Sequence, residues 1–173
     1  MTDQVKASHL AKEAFELWQV GNTELAVPLY LEALQNADPD HWALADYHGE
    51  LAGALASLDR HTEARNHYQL AVSVQRRQDG DDFNVAVTTA RYFLAEHCLQ
   101  LNEPLLALEA IAPSMSNDAK GDWLLHLAKA RALHALGKVS ESHAEADLSI
   151  KFAPSEEKRK ELMSYFSGEL GKN

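Results

Sequence analysis

The chain has one cysteine, Cys98, among its 173 residues, so no intrachain disulfide can form and no thiolate metal cluster can be assembled. A reducing, cytoplasmic setting is the expectation. Long apolar runs are missing as well: no stretch is long enough to span a bilayer, and Asp3, Gln4 and Lys6 stand where a signal peptide would carry an apolar core. Neither membrane insertion nor signal-peptide secretion is expected. Basic charge is scarce, with 16 Lys and Arg against 26 Asp and Glu for a net charge of −10, which argues against binding a phosphate backbone. That balance favours a basic partner or simply confers solubility. β-Branched residues are sparse, and the five prolines stand where helices could start, end or turn. Alanine, leucine, glutamate and glutamine remain abundant, which is an all-α composition.

Four segments share one grammar: a helix, a short turn, then a second helix with small residues where backbones must meet. In FELWQVGNTELAVPLYLEAL, from Phe15 to Leu34, Gly21-Asn22 makes the turn and Ala26, Tyr30 and Ala33 form a helical stripe. ALASLDRHTEARNHYQLAV puts Asp59 in the turn and repeats the spacing with Ala64, Tyr68 and Ala71. FLAEHCLQLNEPLLALEAIAP has Asn102 in the turn and Ala107 at the small site, with Pro113 cutting the second helix short. LAKARALHALGKVSESHAEADLSIKFAP has Gly137 in the turn, Ser142 and Ala146 in place of the usual alanine and aromatic, and Pro154 at its end. A small residue on the second helix lets the first approach, while the aromatic four residues on fills the gap on the same face.

The four segments resemble the tetratricopeptide repeat (TPR). The small sites lie 38, 43 and 35 residues apart, at or beyond the usual period of roughly 34, and the long second interval resembles the longer variants of roughly 42 residues more than the minimal repeat. Asp79-Gly80-Asp81-Asp82 is expected to form an extended turn in the longest interval. The resemblance implies an all-α, right-handed superhelical solenoid of antiparallel helix pairs over residues 1–154, with a C-terminal capping helix and tail over 155–173. In that helix Ser155 suits an N-cap, and Leu162, Met163 and Phe166 fall on one side.

Chemistry is hard to find. Nine histidines are present, but none forms a His-Glu-x-x-His motif. His61 and His67 are six apart and off one face, and the co-facial pairs His41/His48 and His126/His134 lack a third ligand. No metal site is expected. Consecutive helix residues point about 100° apart, so His97 and Cys98 cannot act as base and nucleophile, and Cys98 is expected to be a small buried packing residue. Phosphate-loop, nucleophile-elbow and paired-carboxylate signatures are absent, and neither catalysis nor a cofactor is expected.

By the resemblance, first helices of successive repeats line a concave surface. Carried over residue by residue, that surface holds Phe15, Trp18 and Gln19, then Asp46, Gly49, Gly53 and Ala56, then Tyr92, Glu96, Leu99 and Gln100, then Leu127, Arg131 and His134. Gly49 and Gly53 share one helical face at a cost of about 1 kcal/mol each relative to alanine. Either close helix packing or a partner lying on the groove floor would account for them. The family's carboxylate clamp is missing, since Ala11, Phe15, Gly49 and Gly53 occupy the matching positions. A groove with aromatic anchors and acidic rims at Asp46 and Glu96 would prefer an extended or helical segment carrying apolar and basic residues. The expectation is a monomeric adaptor or scaffold that binds protein, not nucleic acid or membrane. The alternative is an acidic inhibitor, immunity protein or secretion chaperone dedicated to one partner.

Overall fold

The computed structural model describes residues 2–115 and 122–169. Its described residues form nine α-helices and no strands. The chain divides into two compact units, residues 1–80 and 81–173.

Unit 1 holds two antiparallel helix pairs: α1 (Gln4–Gln19) with α2 (Thr23–Asn36), and α3 (Leu44–Ser57) with α4 (His61–Asp79). Asp3 caps α1 by accepting from the Lys6 N–H at 3.0 Å. Alanine dominates the core, with Ala7, Ala11, Ala14, Ala26, Ala33, Ala54 and Ala64 buried around Tyr30, Leu51 and Leu55. Small side chains let the helices approach closely, and the few large ones fill the remaining gaps. Pro28 departs from expectation: it lies inside α2, on the exposed side, where it forfeits one backbone hydrogen bond without ending the helix.

Unit 2 holds α5 (Val85–Gln100) with α6 (Pro104–Ile111), α7 (Trp123–Ala135) with α8 (Val139–Lys151), and α9 (Glu156–Glu169) against α8. Asn84, Asp122 and Ser155 cap α5, α7 and α9 through side-chain oxygens. As Pro113 foretold, α6 is short and gives way to a 3-10 turn over Ala112–Ser114. Buried Arg91 pairs with Asp82 at 2.7 Å and donates to the Ala110 carbonyl at 3.1 Å, tying the start of the unit to α5 and α6. On α9, Leu162 and Phe166 are buried against Ala130 and Ala146, but Met163 is more than half exposed. It stands about 100° around the helix from Leu162, so only the residues spaced by four share the packed side. Residues 170–173 of the expected cap lie outside the described residues.

Every expected intra-pair turn has the same build. Gly21, Asp59, Asn102 and Gly137 all adopt left-handed backbone, with φ of 83°, 57°, 56° and 74°. The N–H of the following residue returns to a first-helix carbonyl in each case: Asn22 to Leu17, Arg60 to Leu55, Glu103 to Cys98 and Lys138 to Leu133, at 2.9–3.0 Å. These are Schellman closures, which satisfy carbonyls that the helix end would leave unpaired. The small residue five positions after each turn residue, Ala26, Ala64, Ala107 or Ser142, is fully buried. Ser142 keeps its hydroxyl satisfied by donating to the Ala130 carbonyl of the facing helix at 2.8 Å.

Candidate functional site

In unit 1 the first helices α1 and α3 and the loop between α2 and α3 border a cleft of about 310 Å³. Ser8, Ala11, Lys12 and Phe15 come from α1, and Asp46, Tyr47 and Glu50 from α3. These positions recur at helical spacing, so one face of each helix faces the cleft. The loop adds His41, Trp42 and Ala43. Trp42 is 73% exposed, a large apolar area left in water on this loop.

That loop is anchored from both sides. Arg77 donates to the Pro39 carbonyl at 2.5 Å and Gln78 to the His41 carbonyl at 2.9 Å, both from the end of α4. From the start of α1, the Gln4 side-chain oxygen accepts the Asp38 N–H at 2.8 Å. The cleft wall is further fixed where the Tyr47 hydroxyl meets Ser8 at 3.0 Å and Gln4 at 3.3 Å. On the cleft's acidic side, Asp46 is exposed, yet the protein packed around its carboxyl partly desolvates it and raises it above the ordinary carboxylate range. Burial raises Glu50 too; the neighbouring Tyr30 hydroxyl offsets this in part and Asp46 adds to it.

Phe15 and Asp46 of the expected surface therefore meet at this cleft, but Trp18 and Gly53 have another relationship. The Trp18 indole lies directly over Gly53, where an added Cβ would stand 2.4 Å from its nearest ring atom. Its N–H donates to Ser57 Oγ at 3.3 Å, and that hydroxyl donates on to the Gly53 carbonyl at 2.9 Å. Phe15 meets the same indole edge-to-face, with ring centroids 6.3 Å apart. Gly53 is bare to admit Trp18, an α1–α3 packing contact. Gly49, one turn earlier, faces open space. Gln19 ends α1 exposed and does not line the cleft.

Unit 2 has its own cleft of about 380 Å³ on the faces of α5, α7 and α9. Tyr92, Trp123, Leu127 and Arg131 line it with Lys158, Glu161, Leu162 and Tyr165 of α9. Glu96 pairs with Arg131. Burial works against the Arg131 charge, but Glu96 outweighs it and the guanidinium stays firmly protonated. Burial, with Glu96 beside it, pushes the Tyr92 hydroxyl up to about 12. The Lys158 ammonium sits 5.8 Å from the Trp123 ring centroid and pairs with Glu161. Gln100 is exposed and His134 half-buried, and neither lines this cleft.

Several cleft residues escaped the sequence reading. Lys158 and Tyr165 stand four before and three after Leu162, whose packed side was already marked, so the i, i+4, i+7 pattern could have added them. Glu50 stands one turn from Asp46 and was equally accessible to that reasoning. Trp42 precedes α3 in a loop, where no periodicity signals which way a side chain points.

Histidine pairing also crosses helices. His48 of α3 and His67 of α4 stack with ring centroids 5.2 Å apart and Nδ1 atoms 3.0 Å apart. Among the described residues no three His, Cys, Asp or Glu side chains gather as metal ligands. His126 lies 2.6 Å from Glu145, which also takes Lys129 at 2.6 Å, and stacks on Phe152. Burial pushes Glu145 upward, yet its hydrogen bonds from His126 and Lys129 prevail and hold it below the usual range.

No family model and no curated protein sequence matches the chain. Among solved structures it is similar to "MamA 41-end from Desulfovibrio magneticus RS-1", at 15% identity and a TM-score of 0.65, over 94% of this chain and 92% of that one. The "MamA RS-1 ArsTM double mutant" matches at the same identity and TM-score, over 96% and 95%. The fold is TPR-like. At this identity the likeness speaks to the fold and not to a ligand. In a TPR-like chain the two clefts fall on the first helices α1, α3, α5 and α7, and α9 contributes to the second cleft. None of the described helices is long and apolar enough to cross a membrane.

Proposed function

We propose that the chain is a non-catalytic protein-interaction module, an adaptor or scaffold that holds a segment of a partner protein against its first-helix faces. The observation that carries this reading is the unit 1 cleft, where an anchored loop presents Trp42 to water beside Phe15. An aromatic on an anchored backbone has few torsions left to lose when a partner covers it, so much of its buried area goes into affinity. The TPR-like fold supports the reading, because stacked helix pairs expose an extended face suited to a peptide or helix. A monomer in the cytoplasm fits the single, buried thiol.

The test is affinity capture from the native lysate with the wild-type chain and a Phe15→Ala/Trp42→Ala variant, after circular dichroism shows equal helicity. A partner held by the wild type and lost by the variant is the expected result. Capture unchanged by the variant would overturn the assignment of this face. A tight, salt-sensitive one-to-one complex with a strongly basic protein would make the chain a dedicated inhibitor or chaperone, in keeping with its charge of −10.

A further inference from the structure

The unit 1 cleft carries information about its occupant beyond its aromatic walls. In unit 2, half-buried carboxylates meet cations: Asp82 meets Arg91, Glu96 meets Arg131, and Glu145 meets Lys129 and His126. In the unit 1 cleft, exposed Asp46 and half-buried Glu50 stand one helical turn apart on the same face of α3, and among the described residues neither forms a salt bridge. Lys12 lines the same cleft, but its ammonium lies toward Glu16 at 3.9 Å. Glu50's close neighbour is the neutral Tyr30 hydroxyl. Glu50, half-buried without a counter-charge, is costly to the free protein, and an incoming cation relieves that cost while the exposed Asp46 adds its charge one turn away.

Resting on the first-helix reading above, we propose that this cleft receives an arginine side chain from a partner segment whose adjoining residues are apolar. A guanidinium suits the walls in three respects. Its planar fork can donate to two carboxylates, its face can stack on the Trp42 or Phe15 ring, and its methylene stem can lie along Ala11 and Ala43. A lysine ammonium offers a point charge without the plane or the fork. The anchored Trp42 loop keeps the cleft formed before binding, and the net charge of −10 draws basic segments toward the chain.

The experiment titrates the full-length, ¹⁵N-labelled chain with acetyl-Leu-Arg-Leu amide and with the same peptide carrying citrulline, the neutral isostere of arginine. The arginine peptide should shift the Trp42 indole signal and the backbone amides of Asp46 to Glu50, and citrulline should bind at least about ten-fold more weakly. Asp46→Asn/Glu50→Gln, which preserves shape, should erase that difference, while Glu24→Gln at an exposed carboxylate of α2 should leave it intact. Equal binding of the two peptides, shifts centred elsewhere, or no shifts up to about 10 mM peptide would overturn the proposal. If a natural partner is captured as well by Asp46→Asn/Glu50→Gln as by wild type but lost by Phe15→Ala/Trp42→Ala, the interaction reading stands and the arginine pocket falls.

Discussion

Gly49 and Gly53 occupy the same face of α3 and have opposite reasons to exist. Gly53→Ala would put a methyl 2.4 Å and 2.8 Å from two atoms of the Trp18 ring. The indole is stiff and tied to Ser57, so it must swing out, giving up packing and its hydrogen bond. Removing a helical glycine gains about 1 kcal/mol, whereas overpacking costs about 1–3 kcal/mol. We expect a net loss of up to about 2 kcal/mol in urea denaturation. Gly49→Ala meets nothing, and should gain about 0.5–1 kcal/mol by the same measurement. The sequence made both glycines conspicuous but could not distinguish them, because the difference lies in a side chain 35 positions before Gly53.

At the scale of the element, the intra-pair turns were the most legible feature, and their common closure explains why. A left-handed residue, one returning hydrogen bond and a small residue five positions on are all local, so a single chain displays them. Two turns use glycine, and two use Asp59 and Asn102, which tolerate left-handed backbone less well. Gly137→Ala should therefore cost about 1 kcal/mol, while Asp59→Gly should be neutral or gain a few tenths. Paired urea midpoints for the two variants check this, and a Gly137→Ala chain as stable as wild type would refute the role of the turn. What stayed hidden was non-local. The loop anchored by Gln4, Arg77 and Gln78 and the His48/His67 stack each join residues far apart in sequence, and no spacing rule connects them.

For the whole molecule, pH separates local from global electrostatics. Burial and the neighbouring His67 push His48 down to about 4, and burial lowers His67, with Glu63 opposing. An unfolded imidazole binds its proton near 6.5, so between about pH 6.5 and 4 the unfolded chain holds more protons and stability falls as pH falls. Asp46 and Glu50, raised by burial, act with the opposite sign, since the folded chain takes up their protons first; this begins only near the carboxylate range. Glu145, held below that range, adds to acid instability lower still. From pH 7 to 5 the histidine pair therefore dominates. Discounted for the solvent that reaches the rings, the loss is on the order of 1 kcal/mol. The net charge of −10 works the other way, because self-repulsion weakens as acids begin to protonate, but about 0.15 M salt screens that part. Both histidines lie in unit 1, together with Trp18 and Trp42, while Trp123 lies in unit 2. In a Trp123→Phe background, tryptophan fluorescence reports on unit 1 alone. Its urea midpoint should drop between pH 7 and 5 in moderate salt, and His48→Asn, which keeps a polar atom near the position of Nδ1 but does not titrate, should flatten the drop. A drop of the same size in His48→Asn would remove the histidine pair from the account.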